Sequence, residues 1–127
     1  MSIRTELNLR LPNSPGALDG VCRALFDERV NVLALSLDTA GHVRLVVDNH
    51  VHAAGALRDL HYQVTERQVL VVSVSNDPGA LASVLALVAD AGINIEYAYA
   101  SATDAGHAAS VVLGVDDTQR ASTAVGV

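Results

Sequence analysis

The sequence contains no lysine, so all eight of its basic residues are arginines. Without lysine the protein cannot form a Schiff base with a carbonyl substrate, and it lacks the lysine of a phosphate-binding P-loop. Its formal net charge is −6, and only 3% of its residues are aromatic. An acidic chain with so few aromatic rings has little with which to hold a phosphate backbone or stack on bases. The composition therefore argues against lysine-dependent enzymes and nucleic-acid-binding proteins.

Cysteine and long hydrophobic runs are also scarce. Cys22 is the only cysteine, which excludes an intrachain disulfide and a cysteine metal cluster. It falls on the apolar side of a predicted helix, so we expect a buried thiol rather than a nucleophile. The first residues, MSIRTELNLRL, alternate apolar and polar side chains, unlike a signal peptide. No window has membrane-spanning length without charge, and the expected location is the cytoplasm.

A repeat with a spacing of 63 residues is the main positive feature of the sequence. The pattern Asn-x-Pro-Gly-Ala-Leu begins at Asn13 and again at Asn76, and Asn31 and Asn94 keep the same spacing. The other shared positions are Pro15 and Pro78, Gly16 and Gly79, Ala17 and Ala80, and Leu18 and Leu81. We therefore predict two copies of one unit, residues 1–67 and 68–127, each with a hydrophobic core.

Both copies give the same order of predicted elements. The strand TELNLRL or VLVVSV comes first, and an amphipathic helix, two strands around a glycine-containing turn and an alanine-rich helix follow. The segment YQVTERQ closes the first copy. The buried stripes of the first helices are predicted at Leu18, Val21, Cys22, Leu25 and Phe26, and at Leu81, Val84, Leu85 and Val88. This order predicts an α+β protein made of two ferredoxin-like βαββαβ units in tandem.

The Pro-Gly pair opens the first helix of each copy. Proline suits the first helical position, which predicts Ser14 and Asp77 as the N-caps. Gly16 and Gly79 would then lie inside the first turn, where glycine costs roughly 0.5–1 kcal/mol relative to alanine. Two explanations stay open: a close backbone contact that needs the missing Cβ, or a ligand whose carboxylate approaches the helix N-terminus.

Asn31 and Asn94 each precede the second strand of their copy. An asparagine at a strand start is most often a turn former. Its amide could instead pair with the carboxylate or ammonium group of a bound amino acid. Gly92 is placed to end the preceding helix in a left-handed conformation, whereas Arg29 stands at that position in the first copy, so its helix end is expected to differ.

These residues resemble a known family, the ACT domain. The strings NSPGAL…VNVLALSL and NDPGAL…GINIEYAYA carry the resemblance, which extends from about Arg4 to about Asp117. The match is closer to one branch of the family, the small free-standing proteins made only of two tandem ACT domains. It implies antiparallel four-stranded sheets with the helices on one face. It also implies a non-enzymatic, allosteric sensor that binds a free amino acid at an ACT–ACT interface and regulates a metabolic enzyme, with no cofactor.

The resemblance also implies which residues bind the ligand. They are Asn13, Ser14, Gly16, Ala17, Leu18 and Asn31 in the first copy, and Asn76, Asp77, Gly79, Ala80, Leu81 and Asn94 in the second. The second copy is the better candidate because Gly92, Asn94 and Glu96 occur together there.

Two other functions compete with this interpretation. In a structural oligomerisation module the glycines would serve packing alone. A metal-responsive module would use the histidines, of which His50 and His52 are the closest pair, but no acidic or cysteine partner has a supporting spacing. His42 and His107 are expected to be exposed in hairpin turns. No nucleophile elbow is present, and we predict no catalytic or metal-binding residues.

The second copy is short at its end. After Val115 only DDTQRASTAVGV remains, and most of it is needed for the second helix, so the last strand is predicted to be missing or truncated. The strand VLVVSV would then present an unpaired edge, which proteins normally cover. We therefore predict a homodimer, in which a strand from the other chain or from the first copy shields residues 69–74.

Overall fold

A computed structural model describes residues 3–101 and 107–126. The elements are β1 (Ile3–Arg10), α1 (Ala17–Asp27), β2 (Val32–Leu37), β3 (His42–Val47), α2 (His50–Asp59), β4 (Thr65–Ser75), α3 (Ala80–Asp90), β5 (Ile95–Ala100), β6 (Ala108–Val115) and α4 (Thr118–Val125). The described residues thus form six strands and four helices, which confirms the predicted α+β class. None of these helices is both long and apolar enough to cross a membrane.

The chain divides into two compact units, and the N-terminal unit comprises Thr5–Arg67. In this unit β3 pairs antiparallel with β1 on one side and β2 on the other, so that Leu45 lies opposite both Leu7 and Leu35. Because side chains alternate along a strand, Leu7 and Leu9 of β1 share one face of the sheet and belong to the core. The helices α1 and α2 contribute Val21, Leu25 and Leu57 to the same core.

The C-terminal unit comprises residues 68–126 together with Ile3 and Arg4. Here β6 pairs antiparallel with both β4 and β5. Its core contains Leu70, Val88 and Leu113, and Ile3 packs against it from the start of the chain. This unit therefore includes residues from both ends of the sequence.

One strand replaces two predicted ones. YQVTERQ and VLVVSV were predicted as the last strand of one copy and the first strand of the next, following one another without a linker, and the structure joins them in a single strand of 11 residues, Thr65–Ser75. Val125, where the repeat would place the last strand, belongs to α4, so the described residues after Val115 form no further strand. Val69, Leu70 and Val71 are at most 3% exposed. Of residues 69–74, all but the exposed Ser73 are therefore buried within the single chain.

The apolar stripe of α1 is narrower than the sequence pattern predicts. Val21, Ala24 and Leu25 are buried, but Cys22 is exposed and Phe26 is 79% exposed. The prediction of a buried thiol is therefore wrong. Successive residues of an α-helix are about 100° apart, so Cys22 lies well to one side of Val21. Cys22 follows Leu18 by four residues, which fits the spacing of an amphipathic helix, but its thiol lies outside the core.

Both first helices end in the same way despite their different sequences. Gly92 has φ of 73°, as expected for a left-handed C-terminal residue. Arg29 has φ of 57°, and its N–H donates to the carbonyl of Phe26 at 3.0 Å. The expectation that Arg29 would require a different helix end is therefore wrong. The fold imposes the left-handed conformation even without glycine.

Four of the five histidines lie in the N-terminal unit, and His107 immediately precedes β6. His42 was expected in an exposed turn, but it is the first residue of β3, partly buried, and its Nε2 lies 2.8 Å from Oδ1 of Asn8. His50 and His52 lie in the first turn of α2, where Nε2 of His52 is 3.2 Å from a carboxylate oxygen of Glu28. Among the described residues no group of three or more potential metal ligands is found.

Candidate functional site

The Pro-Gly pairs form tight turns immediately before α1 and α3. Gly16 has φ 82° and ψ −1°, and Gly79 has φ 84° and ψ −11°. The N–H of Ala17 donates to the carbonyl of Ser14 at 3.3 Å, and the N–H of Ala80 donates to that of Asp77 at 3.2 Å. Proline second and a left-handed glycine third define a type II turn. The pair therefore encodes a turn that delivers the chain into the helix.

This geometry corrects the predicted caps. The N-caps are Gly16 and Gly79, one residue after each proline, and neither helix has a side-chain cap hydrogen bond. A Cβ added to either glycine would meet no heavy atom within 4 Å. Glycine is thus required by its positive φ rather than by a close contact, which removes the packing explanation. The space beside both turns is open.

In the N-terminal unit that open space is part of a cavity of about 240 Å³. It is lined by Leu11, Pro12, Asn13, Ser14, Gly16, Ala17, Leu18, Asp19, Leu37, Asp38, Thr39 and Gly41. The walls are the end of β1, the Pro-Gly turn, the first turn of α1 and the turn between β2 and β3. Five of the six site residues predicted for the first copy therefore line one cavity.

The carboxylate of Asp38 is fixed at the rim of the cavity. Its Oδ1 accepts hydrogen bonds from the N–H groups of Ala40 at 2.9 Å and His42 at 3.1 Å. These bonds hold the pKa of Asp38 below its usual range, and the bond from the N–H of His42 has the largest effect. Asp38 is therefore ionised at neutral pH.

The turn that carries Asp38 is locked to β1 through Gly41. The N–H of Leu11 donates to the carbonyl of Gly41 at 2.7 Å. Gly41 has φ 80°, and a Cβ at this position would overlap the carbonyl oxygen of Leu11. Only glycine allows this approach, which holds the Asp38 turn against the end of β1 and sets the width of the cavity.

The other carboxylate of the cavity belongs to Asp19 in the first turn of α1. Its Oδ2 accepts a hydrogen bond from Nε of Arg23 at 2.9 Å, across one helical turn. The pair is well exposed, and exposed pairs of this kind contribute little to stability. The side chains of Leu18 and Leu37 give the remaining wall an apolar character.

Asn31 is not among the residues that line this cavity. It follows the C-terminal end of α1, whereas the cavity lies at the N-terminal end, one helix of 11 residues away. Its N–H donates to Oδ1 of Asp48 at 3.0 Å, and its carbonyl accepts from the N–H of Asp48 at 3.1 Å. Within the N-terminal unit the structure therefore separates Asn31 from the Pro-Gly turn.

In the C-terminal unit Asn76, Asp77 and Gly79 are exposed around the second Pro-Gly turn. The N–H of Asn76 donates to the carbonyl of His107 at 2.8 Å, and the hydroxyl of Ser75 donates to the carboxylate of Asp77. Ala80 and Leu81 begin α3. The counterpart of most of the Asp38 turn falls at residues 102–106, outside the described residues. Asn94 is exposed beyond the opposite end of α3.

One side of the cavity, formed by Leu37, Asp38, Thr39 and Gly41, was not predicted from the sequence. The predicted site consists of residues shared between the two copies, and these four are not shared. The Gly41 turn was recognised as a hairpin, but nothing local indicates that its aspartate would face the Pro-Gly turn. Asp19 was missed for the same reason, because Ala82 occupies its position in the second copy.

A family model and a solved structure show which family the chain belongs to. A family model described as the AHAS small subunit-like ACT domain matches residues 70–126. The crystal structure of protein BT0572 from Bacteroides thetaiotaomicron superposes with a TM-score of 0.89 at 31% sequence identity, covering 98% of this chain and 87% of that one. The chain belongs to the ACT-domain family, as the strings NSPGAL…VNVLALSL and NDPGAL…GINIEYAYA predicted.

More distant structures share the fold. The ligand-free regulatory subunit of aspartate kinase from Thermus thermophilus has a TM-score of 0.70 at 19% identity, covering 98% of this chain and 92% of that one. E. coli aspartokinase III, crystallised with lysine and aspartate, has a TM-score of 0.62 at 17% identity, covering 97% of this chain and 30% of that one. A search of curated proteins gives no significant match.

Proposed function

We propose that the protein is a non-enzymatic regulator that binds a free amino acid at the Pro-Gly turn. The cavity of about 240 Å³ in the N-terminal unit is the observation that supports this most directly. Its volume is below the range of about 300–1,000 Å³ that is typical of pockets for drug-sized ligands. A small metabolite is therefore the better fit.

The turn offers hydrogen-bond donors for the α-carboxylate of such a ligand. The N–H groups in the first turn of a helix have no acceptor within the helix, and the N-terminus carries a partial positive charge. In α1 the N–H of Ala17 is used by the turn itself, which leaves those of Leu18 and Asp19 for a ligand. Because Gly16 has no side chain, a carboxylate can approach these groups closely.

The opposite wall offers a partner for the α-ammonium group. Asp38 is ionised, and its Oδ1 is held by two N–H groups. Nη1 of Arg44 lies 3.9 Å from Oδ2, too far for a hydrogen bond, so Oδ2 can accept a charge-assisted hydrogen bond from a ligand. The apolar side chains of Leu11, Leu18 and Leu37 leave room for an aliphatic side chain between the two polar ends. In this proposal the ligand is a zwitterion with a small apolar side chain.

The relatives support a regulatory role. The aspartate kinase subunits from Thermus are regulatory by name, and aspartokinase III was crystallised with two amino acids. By analogy we propose that each copy, residues 1–67 and 68–127, is a ferredoxin-like ACT domain, that the chain forms a homodimer, and that it regulates a metabolic enzyme. The second Pro-Gly turn, from Asn76 to Leu81, is proposed as an additional site, and Asn31 and Asn94 as secondary contacts.

The proposal is tested by thermal unfolding of the full chain with each of the twenty amino acids. A ligand present at about 100 times its Kd should add roughly 2.7 kcal/mol to the free energy of unfolding, and the melting temperature should rise. We expect a shift with one or a few apolar amino acids. If no amino acid raises the melting temperature, the protein is not an amino-acid sensor.

Two matched variants on β2 locate the site. Leu37→Trp fills the cavity and should abolish the ligand-induced shift. Leu33→Trp makes the same change on the same strand at a side chain of similar exposure, 38% against 45%, that does not line the cavity. It should keep the shift. A shift that persists in Leu37→Trp would move the site elsewhere, with the second Pro-Gly turn as the next candidate.

A further inference from the structure

The helix α3 presents an uncharged, apolar surface to solvent. Its sequence, ALASVLALVAD, has no charge before the final Asp90, and Val88 is its only buried residue. Leu81 and Leu87 are 43% and 46% exposed, and Ala82 and Ala86 are exposed beside them. A helix that is hydrophobic all round is normally buried on all sides. Here one side faces water in the single chain.

The exposed face of α1 in the first copy is charged, unlike the equivalent face of α3. The positions equivalent to Ala82 and Ala86 are Asp19 and Arg23 in α1, each 63 residues earlier. Asp19 and Arg23 form an exposed ion pair at 2.9 Å, with side chains 63% and 76% exposed. The apolar surface of α3 is therefore a property of the second copy rather than a requirement of the fold.

We propose that the exposed face of α3 is the surface through which two copies of this chain associate. The chain carries a net charge of −6, so two copies repel one another wherever their charged surfaces meet. Before Asp90, α3 offers 10 successive residues with no charge at all. Contact between the copies is least opposed along this helix.

Charges of opposite sign lie near the two ends of α3, Asp77 before its start and Arg120 beyond its end, with the exposed Asp90 as the last residue of the helix. Asp77 is exposed just before the helix, and Arg120 lies beyond its other end, where Nη2 donates to the carbonyl of Ala91. A twofold axis through the middle of α3 pairs it antiparallel with its copy, because the same surface is used twice. Each Asp77 end then meets the Arg120 end of the other copy, and the helix dipoles oppose one another favourably.

Light scattering on the full chain tests the proposal. The native protein should have about twice the chain mass of 13.2 kDa at micromolar concentration. Ala86→Glu places a carboxylate in the middle of α3, where it would meet its own copy across the axis. This variant should be monomeric, with unchanged helix content by circular dichroism. A native monomer, or an unchanged dimer of a folded Ala86→Glu variant, would overturn the proposal.

A matched control uses the other unit. Val51 is 72% exposed on α2, so Val51→Glu introduces the same charge in place of another exposed apolar helical residue. It should leave the dimer intact. If Val51→Glu dissociates the dimer and Ala86→Glu does not, the interface lies on the N-terminal unit and a partner of another kind covers α3.

Crosslinking gives a readout even if Ala86→Glu unfolds. In a Cys22→Ser background, Ala86→Cys should be joined to its copy by a short bis-maleimide linker, whereas Val51→Cys should not. Failure of Ala86→Cys to crosslink in a folded dimer would contradict the twofold arrangement. Amino-acid binding is measured separately by thermal shift, so loss of either property is distinguished from loss of the other.

Discussion

At the scale of single residues, glycine is needed at the Pro-Gly turns for its backbone and not for its size. Gly16 and Gly79 have positive φ, and nothing occupies the space where a Cβ would be. An L-residue in this conformation places its Cβ too close to the following carbonyl oxygen, at a cost of roughly 1–2 kcal/mol. The turn is thus maintained by the torsional freedom of one residue in each copy.

Gly79→Ala is therefore expected to lower the free energy of unfolding by about 1–2 kcal/mol. Gly55→Ala is the control, because Gly55 lies within α2 and also has no atom within 4 Å of an added Cβ. This change should raise the free energy of unfolding by about 0.5–1 kcal/mol, since alanine is favoured over glycine in a helix. Urea unfolding measures both, and equal effects of the two substitutions would contradict the torsional explanation.

His42 makes stability depend on pH in one direction. Burial lowers its pKa below the ordinary value of 6.5, and the positive charge of Arg44 lowers it further. The unfolded chain therefore takes up this proton at a higher pH than the native chain. The stability contributed by the neutral ring is complete above pH 6.5 and is lost as the pH falls through the lower native pKa.

We expect the free energy of unfolding to decrease as the pH falls from about 7 to about 5, and His42→Gln to reduce this decrease. His107→Gln, at an exposed histidine, is the control and should keep the native profile. Urea unfolding at several pH values measures the effect. The pKa of Asp38 is also lowered, but its usual value is near 3.8, so its contribution is lost in a more acidic range. Parallel profiles for the native protein and His42→Gln would exclude this role for His42.

At the scale of elements, the helices begin in two different ways. The side chain of Asn49 caps α2 by accepting from the N–H of His52 at 3.1 Å, and Asp117 caps α4 by accepting from the N–H of Arg120 at 3.1 Å. The first helix of each copy instead follows the Pro-Gly turn without a side-chain cap.

Asn49→Ala should therefore lower the free energy of unfolding by about 0.5–2 kcal/mol, the usual loss for an N-cap. Ser14→Ala should change it by less than about 0.5 kcal/mol, as for an ordinary surface substitution. Chemical denaturation of both variants distinguishes the two kinds of helix start. A comparable loss in Ser14→Ala would restore Ser14 as the cap of α1.

The elements themselves could be read from the sequence because they depend on periodicity. Each predicted helix and most predicted strands are present, and the repeat was visible in residues such as Pro15 and Pro78. The helix starts were placed two residues early because a proline in the first turn and a proline before it give the same sequence pattern. The exposure of Cys22 depends on how α1 rests on its sheet, which no local pattern records.

At the scale of the whole molecule, one wall of the cavity could be predicted from the sequence and the opposite wall could not. The Pro-Gly turn belongs to one continuous segment and is repeated, so both copies indicated it. Asp38 comes from a distant turn that is held in place by the contact between Gly41 and Leu11. That contact arises only when β1 and β3 pair, with Leu9 opposite Val43. The register between two strands that are distant in the sequence cannot be read from the local pattern of either strand.

The position of Ile3 in the C-terminal unit has a consequence for the order in which the chain folds. Ile3 packs on a core whose other members come from residue 70 onward. Bringing Ile3 to Gln68 closes a loop of about 65 residues, and the (3/2)RT ln n relation puts the entropic cost at about 4 kcal/mol. During synthesis this contact must wait until the second half of the chain has emerged. Ile3 is thus among the last residues to reach its native position, which raises the contact order and slows folding.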